Sequence, residues 1–211
     1  MIKPKITIID YGVGNLHSLK KAFEHFGAEY KISEEAETIL NSDAVVLPGV
    51  GAFEAGMRGL ESRGLTGAVR DFAKSGKPML GICLGAQILL SRGYEFGIFE
   101  GLDIIKGEVT KLPEIKDAKI PHIGWNKIYA NVGDNWKGTV LNDIEENATV
   151  YFVHSYIFQP KDKSDILALS NYGGFEFCSA VRKGNIYGCQ FHPEKSGENG
   201  LRIIENFINL V

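Results

Sequence analysis

Short apolar runs alternate with amphipathic stretches through the first half of the chain, and no other feature constrains the fold as strongly. Ile6 to Ile9, Ala44 to Leu47 and Met79 to Ile82 read as buried strands, whereas Leu16 to Phe26 and Leu65 to Ala73 carry the spacing of one-sided helices. Strand and helix repeated in this way predict βαβ units, and hence an α/β fold with an open, mostly parallel central sheet flanked by helices. Gly12-Val13-Gly14-Asn15, Pro48-Gly49-Val50-Gly51 and Cys83-Leu84-Gly85 each follow one of these strands. In open α/β sheets ligands bind beyond the carboxyl ends of the strands, so a site is expected on that rim.

From about Gly107 the pattern changes. Gly107 to Val109, Ala148 to Val153, Ile166 to Leu169, Ala180 to Arg182 and Ile186 to Gln190 read as strands at short spacing. Asn171-Tyr172-Gly173-Gly174 and Lys183-Gly184-Asn185 supply hairpin turns. A smaller antiparallel region is therefore expected in the second half, closed by a helix from about Gly200 to Leu210. No repeat or linker divides the sequence, so residues 1–211 are expected to form one domain. A chain of this size buries roughly 70% of its unfolded surface and needs no cross-links.

The formal charge of −3 gives no reason to expect nucleic acid or an anionic membrane as partner. Asp10 interrupts the first apolar run before it can serve as a signal peptide, and no stretch approaches the ~20 apolar residues of a membrane span. Three cysteines, Cys83, Cys178 and Cys189, are an odd number without regular spacing. That pattern argues against a disulfide framework and for a reducing cytoplasm.

The chemistry concentrates in Pro78-Met79-Leu80-Gly81-Ile82-Cys83-Leu84-Gly85-Ala86-Gln87. An apolar strand running through Gly-x-Cys-x-Gly into a helix resembles a nucleophile elbow, whose tight turn exposes the central side chain. Beside a helix N-terminus a cysteine is biased toward thiolate. The plain alternative is that Cys83 is a small buried hydrophobe, but that role requires no flanking glycines. Gln87 falls one helical turn later, either facing a polar substrate or serving only as a helix former.

Downstream, Gln190-Phe191-His192-Pro193-Glu194 places His192 and Glu194 two apart at a strand end. If strand alternation continues, the two share a face, and the carboxylate can fix the imidazole's tautomer and stabilise its cation. Cys189 and His192 have a zinc-like spacing, yet they would point to opposite faces and no second ligand pair lies nearby. A surface His–Glu pair without chemistry is the remaining alternative. Attack on an amide also needs oxyanion donors. The Leu84 N–H and the Pro48-Gly49-Val50-Gly51-Ala52-Phe53 loop are the candidates, although that loop also reads as an ordinary βα turn. It lacks the Gly-Lys-Ser/Thr ending of a phosphate loop.

Gly81-Ile82-Cys83-Leu84-Gly85 followed far downstream by His192-Pro193-Glu194 resembles the class I (triad) glutamine amidotransferases. Within them, Pro48 to Phe53, Pro121-His122-Ile123-Gly124-Trp125-Asn126, Tyr151-Phe152-Val153-His154-Ser155-Tyr156 and Gln190 to Ser196 are similar to the glutaminase subunits of imidazole glycerol phosphate synthases. The resemblance covers essentially the whole chain. It implies a Cys83–His192–Glu194 triad and an oxyanion hole from Val50, Gly51 and Leu84. Gly49, Gln87, Ser155 and Tyr156 are implied to contact L-glutamine. A (βα)8-barrel synthase is implied as the partner that receives the ammonia, with Asn15, Trp125, Asn126, Tyr151 and Lys195 at the interface. Trp125 and Tyr151 also fit a role as core or rim aromatics, and His17, His25 and His122 have no assigned chemistry. The reaction needs no metal or organic cofactor. One departure is Ser91 to Leu102, a less typical version of the loop after the elbow helix, which leaves open a paralogous synthase making a different amidated product. An elbow-type hydrolase of esters or other amides and a silent binding subunit are further alternatives.

Overall fold

In the computed structural model, which describes residues 4–116, 118–131 and 136–211, the run Ile6–Ile9 forms strand β1 with every residue buried. It pairs in parallel with β2 (Tyr30–Ser33) and β3 (Ala44–Gly49), and β3 pairs in parallel with β4 (Met79–Cys83). The next neighbour of β4 is β13 (Ile186–Cys189), from the far end of the chain. That parallel insertion brings the segment after residue 189 beside the end of β4.

Beyond β13 the sheet turns largely antiparallel. It runs through β12 (Phe175–Lys183), β10 (Tyr156–Pro160), β7 (Ile105–Lys111), β5 (Leu90–Gly93) and β6 (Phe99–Glu100), with β11 (Ile166–Tyr172) hydrogen-bonded to β12. Among the described residues only β8 (His122–Lys127) and β9 (Thr149–His154) form a separate antiparallel pair. The strands of the second half thus mostly extend the central sheet. The Gly173-Gly174 and Gly184-Asn185 connections close two-residue hairpins, with φ of 60° and 89° at the first pair and 60° at Gly184. Those angles are the positive values that such turns demand.

Helices cover both faces. On one, α1 (Leu16–His25) and α6 (Gly197–Asn209) bury Leu19, Phe23, Ile203, Ile204 and Phe207 in a core that also holds Phe152 and Phe191. On the other, α2 (Ala36–Leu40), α3 (Phe53–Ser62) and α4 (Leu65–Lys74) bury Ile39, Met57, Leu60, Val69 and Phe72. Two details differ from the sequence reading. The elbow helix α5 is only Leu84–Gln87, and the segment read as a loop over 91–102 contains most of β5 and all of β6. Among the described residues no helix is long and apolar enough to cross a membrane.

Candidate active site

Cys83 ends β4 with φ 51° and ψ −111°, a conformation that costs a non-glycine residue on the order of 1–3 kcal/mol and persists only where the surroundings enforce it. Here glycines enforce it. A Cβ at Gly85 would lie 1.7 Å from the Leu47 carbonyl oxygen, and one at Gly81 would lie 2.7 Å from Cα of Ala86. The turn can therefore press α5 against β3 and β4 only with glycine at both positions. The Cys83 side chain is left at the rim of a cleft, 8% exposed.

His192 reaches that cleft from β13. Its Nδ1 lies 2.8 Å from Glu194 Oε1, and the two side chains are 1% and 4% exposed. The pairing matches the sequence expectation, but its geometric reason does not. β13 ends at Cys189, and Pro193–Lys195 form a 3-10 turn, so a tight turn and not strand alternation sets the carboxylate behind the ring. Burial lowers the His192 pKa, but the Cys83 side chain and Glu194 outweigh it and push the value up to about 10. Nε2 is buried without a hydrogen-bond partner among the described residues. Cys189, by contrast, is fully buried in the core, where burial and the Glu194 charge raise its thiol pKa.

Amide side chains order the floor of the cleft. Gln87 Nε2 donates to the Tyr156 carbonyl at 3.4 Å and to Gln190 Oε1 at 3.1 Å, and Gln190 Nε2 lies 3.8 Å from Cys83 Sγ. The Tyr156 carbonyl can only accept, so it fixes the orientation of both amides. Gln87 thereby uses both its N–H groups within the protein and presents an acceptor to a ligand. Gln190, 0% exposed, presents a donor to the sulfur. The cleft, about 260 Å³, is lined by Val50, Gly51, Cys83, Gln87, Glu95, Ser155, Tyr156 and His192, among others.

The family model "Glutamine amidotransferase class-I" matches residues 7–210. The chain is a class I glutamine amidotransferase. It is 48% identical over 210 residues to "Imidazole glycerol phosphate synthase subunit HisH 1" of Legionella pneumophila (strain Paris), covering 97% of this chain and 99% of that protein. It is 44% identical over 208 residues to the subunit HisH of Methanosarcina barkeri, covering 98% of each. Among solved structures, a glutamine amidotransferase with 18% identity and a TM-score of 0.73 covers 97% of both chains. PurLQS from Thermotoga maritima matches at 20% identity and a TM-score of 0.70 over 99% of both. At those identities the likeness is one of fold.

In this amidotransferase seven of the residues singled out in the sequence line one cleft: Val50, Gly51, Cys83, Gln87, Ser155, Tyr156 and His192. Glu194 stands behind His192. Gly49 and Leu84 lie beneath the cleft; Leu84 buries its side chain against Gly56 and opens α5, where first-turn N–H groups have no intrahelical acceptor. Outside the cleft, Trp125 is 57% exposed and meets Tyr151 edge to face at 6.0 Å, while Lys195 is exposed beside them. Asn15 caps α1 through Ser18 N–H. Asn126 turns to the opposite face of β8, where its side chain donates to the Asn171 carbonyl.

Three further residues, none given a catalytic or substrate role from the sequence, shape the site. His154 reads in the sequence only as a strand residue with a satisfied hydrogen bond, which its place in β9 and its bond to the Tyr156 carbonyl match. Glu95 accepts the Phe53 N–H at 2.8 Å and lines the cleft. Ser196 accepts the Tyr151 N–H at 2.9 Å and donates to the His192 carbonyl at 2.6 Å, clamping the His192 backbone. His154 lines the cleft and faces His122, Nε2 to Nδ1 at 2.9 Å, with its own Nδ1 2.9 Å from the Tyr156 carbonyl. Burial pulls the pKa values of these two histidines down, to about 4 for His122 and about 3 for His154, so the pair is neutral at pH 7.

Proposed function

We propose that this chain is the glutaminase subunit of an imidazole glycerol phosphate synthase, acting as one domain with a Cys83–His192–Glu194 triad. The observation that carries the reading is one cleft holding a strained cysteine, an imidazole backed by a carboxylate, and acceptors suited to a free amino acid. Gln87 Oε1 and the Glu95 carboxylate favour an α-ammonium group, which neither simple esters nor most amides possess. The Ser155–Tyr156 backbone supplies further polar contacts.

In the proposed reaction the Cys83 thiolate attacks the side-chain amide carbon of L-glutamine. The N–H groups of Leu84 and of the Val50–Gly51 segment receive the negative charge on oxygen. His192 passes its proton to the departing nitrogen, ammonia leaves, and a glutamyl thioester remains. Water then attacks the thioester as His192 takes its proton, releasing glutamate and restoring the thiol. Neither step requires a metal or organic cofactor.

That the relatives are named as subunits of an imidazole glycerol phosphate synthase supports a synthase partner; in this reading the partner is a (βα)8-barrel of the histidine pathway that receives the ammonia. The exposed face of β8 and β9, with Ile123, Trp125 and Tyr151, supports a docking surface beside the cleft; Asn15 and Lys195 would join it, and Asn126 would act from behind. A cytoplasmic heterodimer follows from that reading. The test is glutamate release from glutamine, with and without the barrel synthase and its imidazole precursor. Wild type should be slow alone and faster with the partner, and Cys83→Ala should be inactive while still binding it. Activation by a different synthase only would transfer the subunit to another pathway. Equal rates for Cys83→Ala and wild type would remove the nucleophile.

A further inference from the structure

Tyr11 buries its hydroxyl without a hydrogen-bond partner among the described residues, and that hydroxyl lies under the segment that follows β3. A Cβ on Gly49 would be 2.4 Å from Tyr11 Oη, 2.7 Å from the Gly85 nitrogen and 2.9 Å from Leu84 Cβ. Oη therefore stands where the proposed oxyanion segment meets the first turn of α5. The residue is held at both ends. Its ring belongs to the core formed with Ile9, Leu47, Phe53 and Leu84, and its carbonyl oxygen abuts Gly59 of α3, where a Cβ would come within 2.4 Å. Burial, followed by the charge of Cys83, raises the phenol's pKa, so the hydroxyl is a neutral donor.

An unpaired buried hydroxyl costs on the order of 1–3 kcal/mol, and one in a native protein calls for an explanation. The adjacent peptide supplies it. In a trans peptide the N–H and C=O point in opposite directions. When the Gly49–Val50 peptide aims its N–H into the cleft, the Gly49 carbonyl must turn away from it, toward the interior. Tyr11 does not line the cleft; it lies on that interior side. Gly51, with φ 116°, gives the segment freedom to rotate. No hydrogen bond joins Oη to the segment in this structure.

We propose that Tyr11 Oη is the donor that receives the Gly49 carbonyl when the oxyanion segment takes its productive orientation, making Tyr11 a positioning residue for the attack on glutamine. The inference rests on the glutaminase reading above. An unmade hydrogen bond in the resting subunit becomes a made one during turnover, which lowers the barrier without strengthening substrate binding.

Tyr11→Phe deletes this hydroxyl and keeps the ring. Three readouts are expected to separate. In the complex, kcat falls about tenfold, the equivalent of one hydrogen bond at 1.4 kcal/mol, with the glutamine KM within about twofold. The melting temperature of the free subunit rises, because an unpaired buried group has been removed. The alkylation rate of Cys83 by iodoacetamide, a reaction that forms no oxyanion, stays at the wild-type value. An unchanged kcat would overturn the proposal. So would a lower melting temperature, which would mean that the hydroxyl is already bonded at rest. A slowed alkylation would place its action on the sulfur instead. If the wild-type complex itself released no glutamate, the functional reading would fail, and the stability and alkylation results would stand apart from it.

Discussion

Glu194→Gln isolates the charge behind the imidazole. The side chains are nearly isosteric, so the 2.8 Å contact to His192 Nδ1 can survive with the amide oxygen as acceptor. What changes is the class of the bond. The charged imidazolium keeps a hydrogen bond to the neutral amide oxygen but loses its ion pair with the carboxylate, a loss of support on the order of 1–1.5 kcal/mol. Glu194 Oε2 is buried without a hydrogen-bond partner among the described residues, and the amide NH2 that replaces it would be an unpaired donor there, adding a cost of about 1–3 kcal/mol to the fold. With His192 1% exposed, little solvent screening softens either effect. Turnover in the complex should fall about tenfold to a hundredfold with little change in KM. The pH dependence has a definite sign. The folded pKa of His192 is raised to about 10, so the stability that its protonation contributes is fully present below about 6.5 and is lost as pH rises through 10. Glu194→Gln should flatten that decline in melting temperature between pH 7 and 10, because the variant has less of this stabilisation to lose. Wild-type turnover together with an unaltered stability–pH curve would refute the assignment of Glu194 as the ring's charge partner.

Two further outcomes follow from the same geometry. Brief treatment of the native protein with iodoacetamide should label Cys83 and spare Cys178 and Cys189, whose thiols burial pushes up in pKa; a mass spectrum with two or three labels at early times would contradict this. Gly85→Ala should lower stability in chemical denaturation by about 3 kcal/mol or more, because its Cβ would fall 1.7 Å from a backbone oxygen that no side-chain rotation can relieve. Wild-type denaturation would show that α5 can stand away from β3.

The central sheet and the elbow were legible because burial and backbone strain leave marks on composition. A strand buried on both faces reads as an apolar run, and a turn at φ 51° that presses helix on strand reads as glycines flanking the cysteine. The Cys83 and His192 contacts were legible only as motifs. Nothing local in Gln190 or Ser196 distinguishes a buried polar residue that bridges distant segments from one in a loop. β2, β5, β6 and α3 were unread for a similar reason. β2 is a four-residue edge strand with Lys31 and Ile32 exposed, β5 and β6 are short and half-buried, and α3 contains two glycines that weaken a helical signal. The His192–Glu194 pairing was anticipated through strand alternation, although a 3-10 turn achieves it. The sequence spacing of two is compatible with either geometry, and only the end of β13 decides between them.

The small β8–β9 sheet ties the outer face of the molecule to both halves of the chemistry. Tyr151 accepts the His192 N–H at 2.9 Å and, through Ser196, also holds the His192 carbonyl. From β8, His122 reaches His154, and His154 reaches the Tyr156 carbonyl that orients Gln87. The alternation of β8 is what makes this possible. Ile123 and Trp125 face solvent, whereas His122 and Asn126 face inward, so one strand carries a surface and a polar relay on opposite sides. Under the proposed function, a partner docked on this sheet would press on a layer bonded both to His192 and, through His154, to the Tyr156 carbonyl. The His122–His154 and Ser196–His192 bonds, at 2.9 and 2.6 Å, are buried, so breaking either leaves polar groups unpaired at a cost of about 1–3 kcal/mol each.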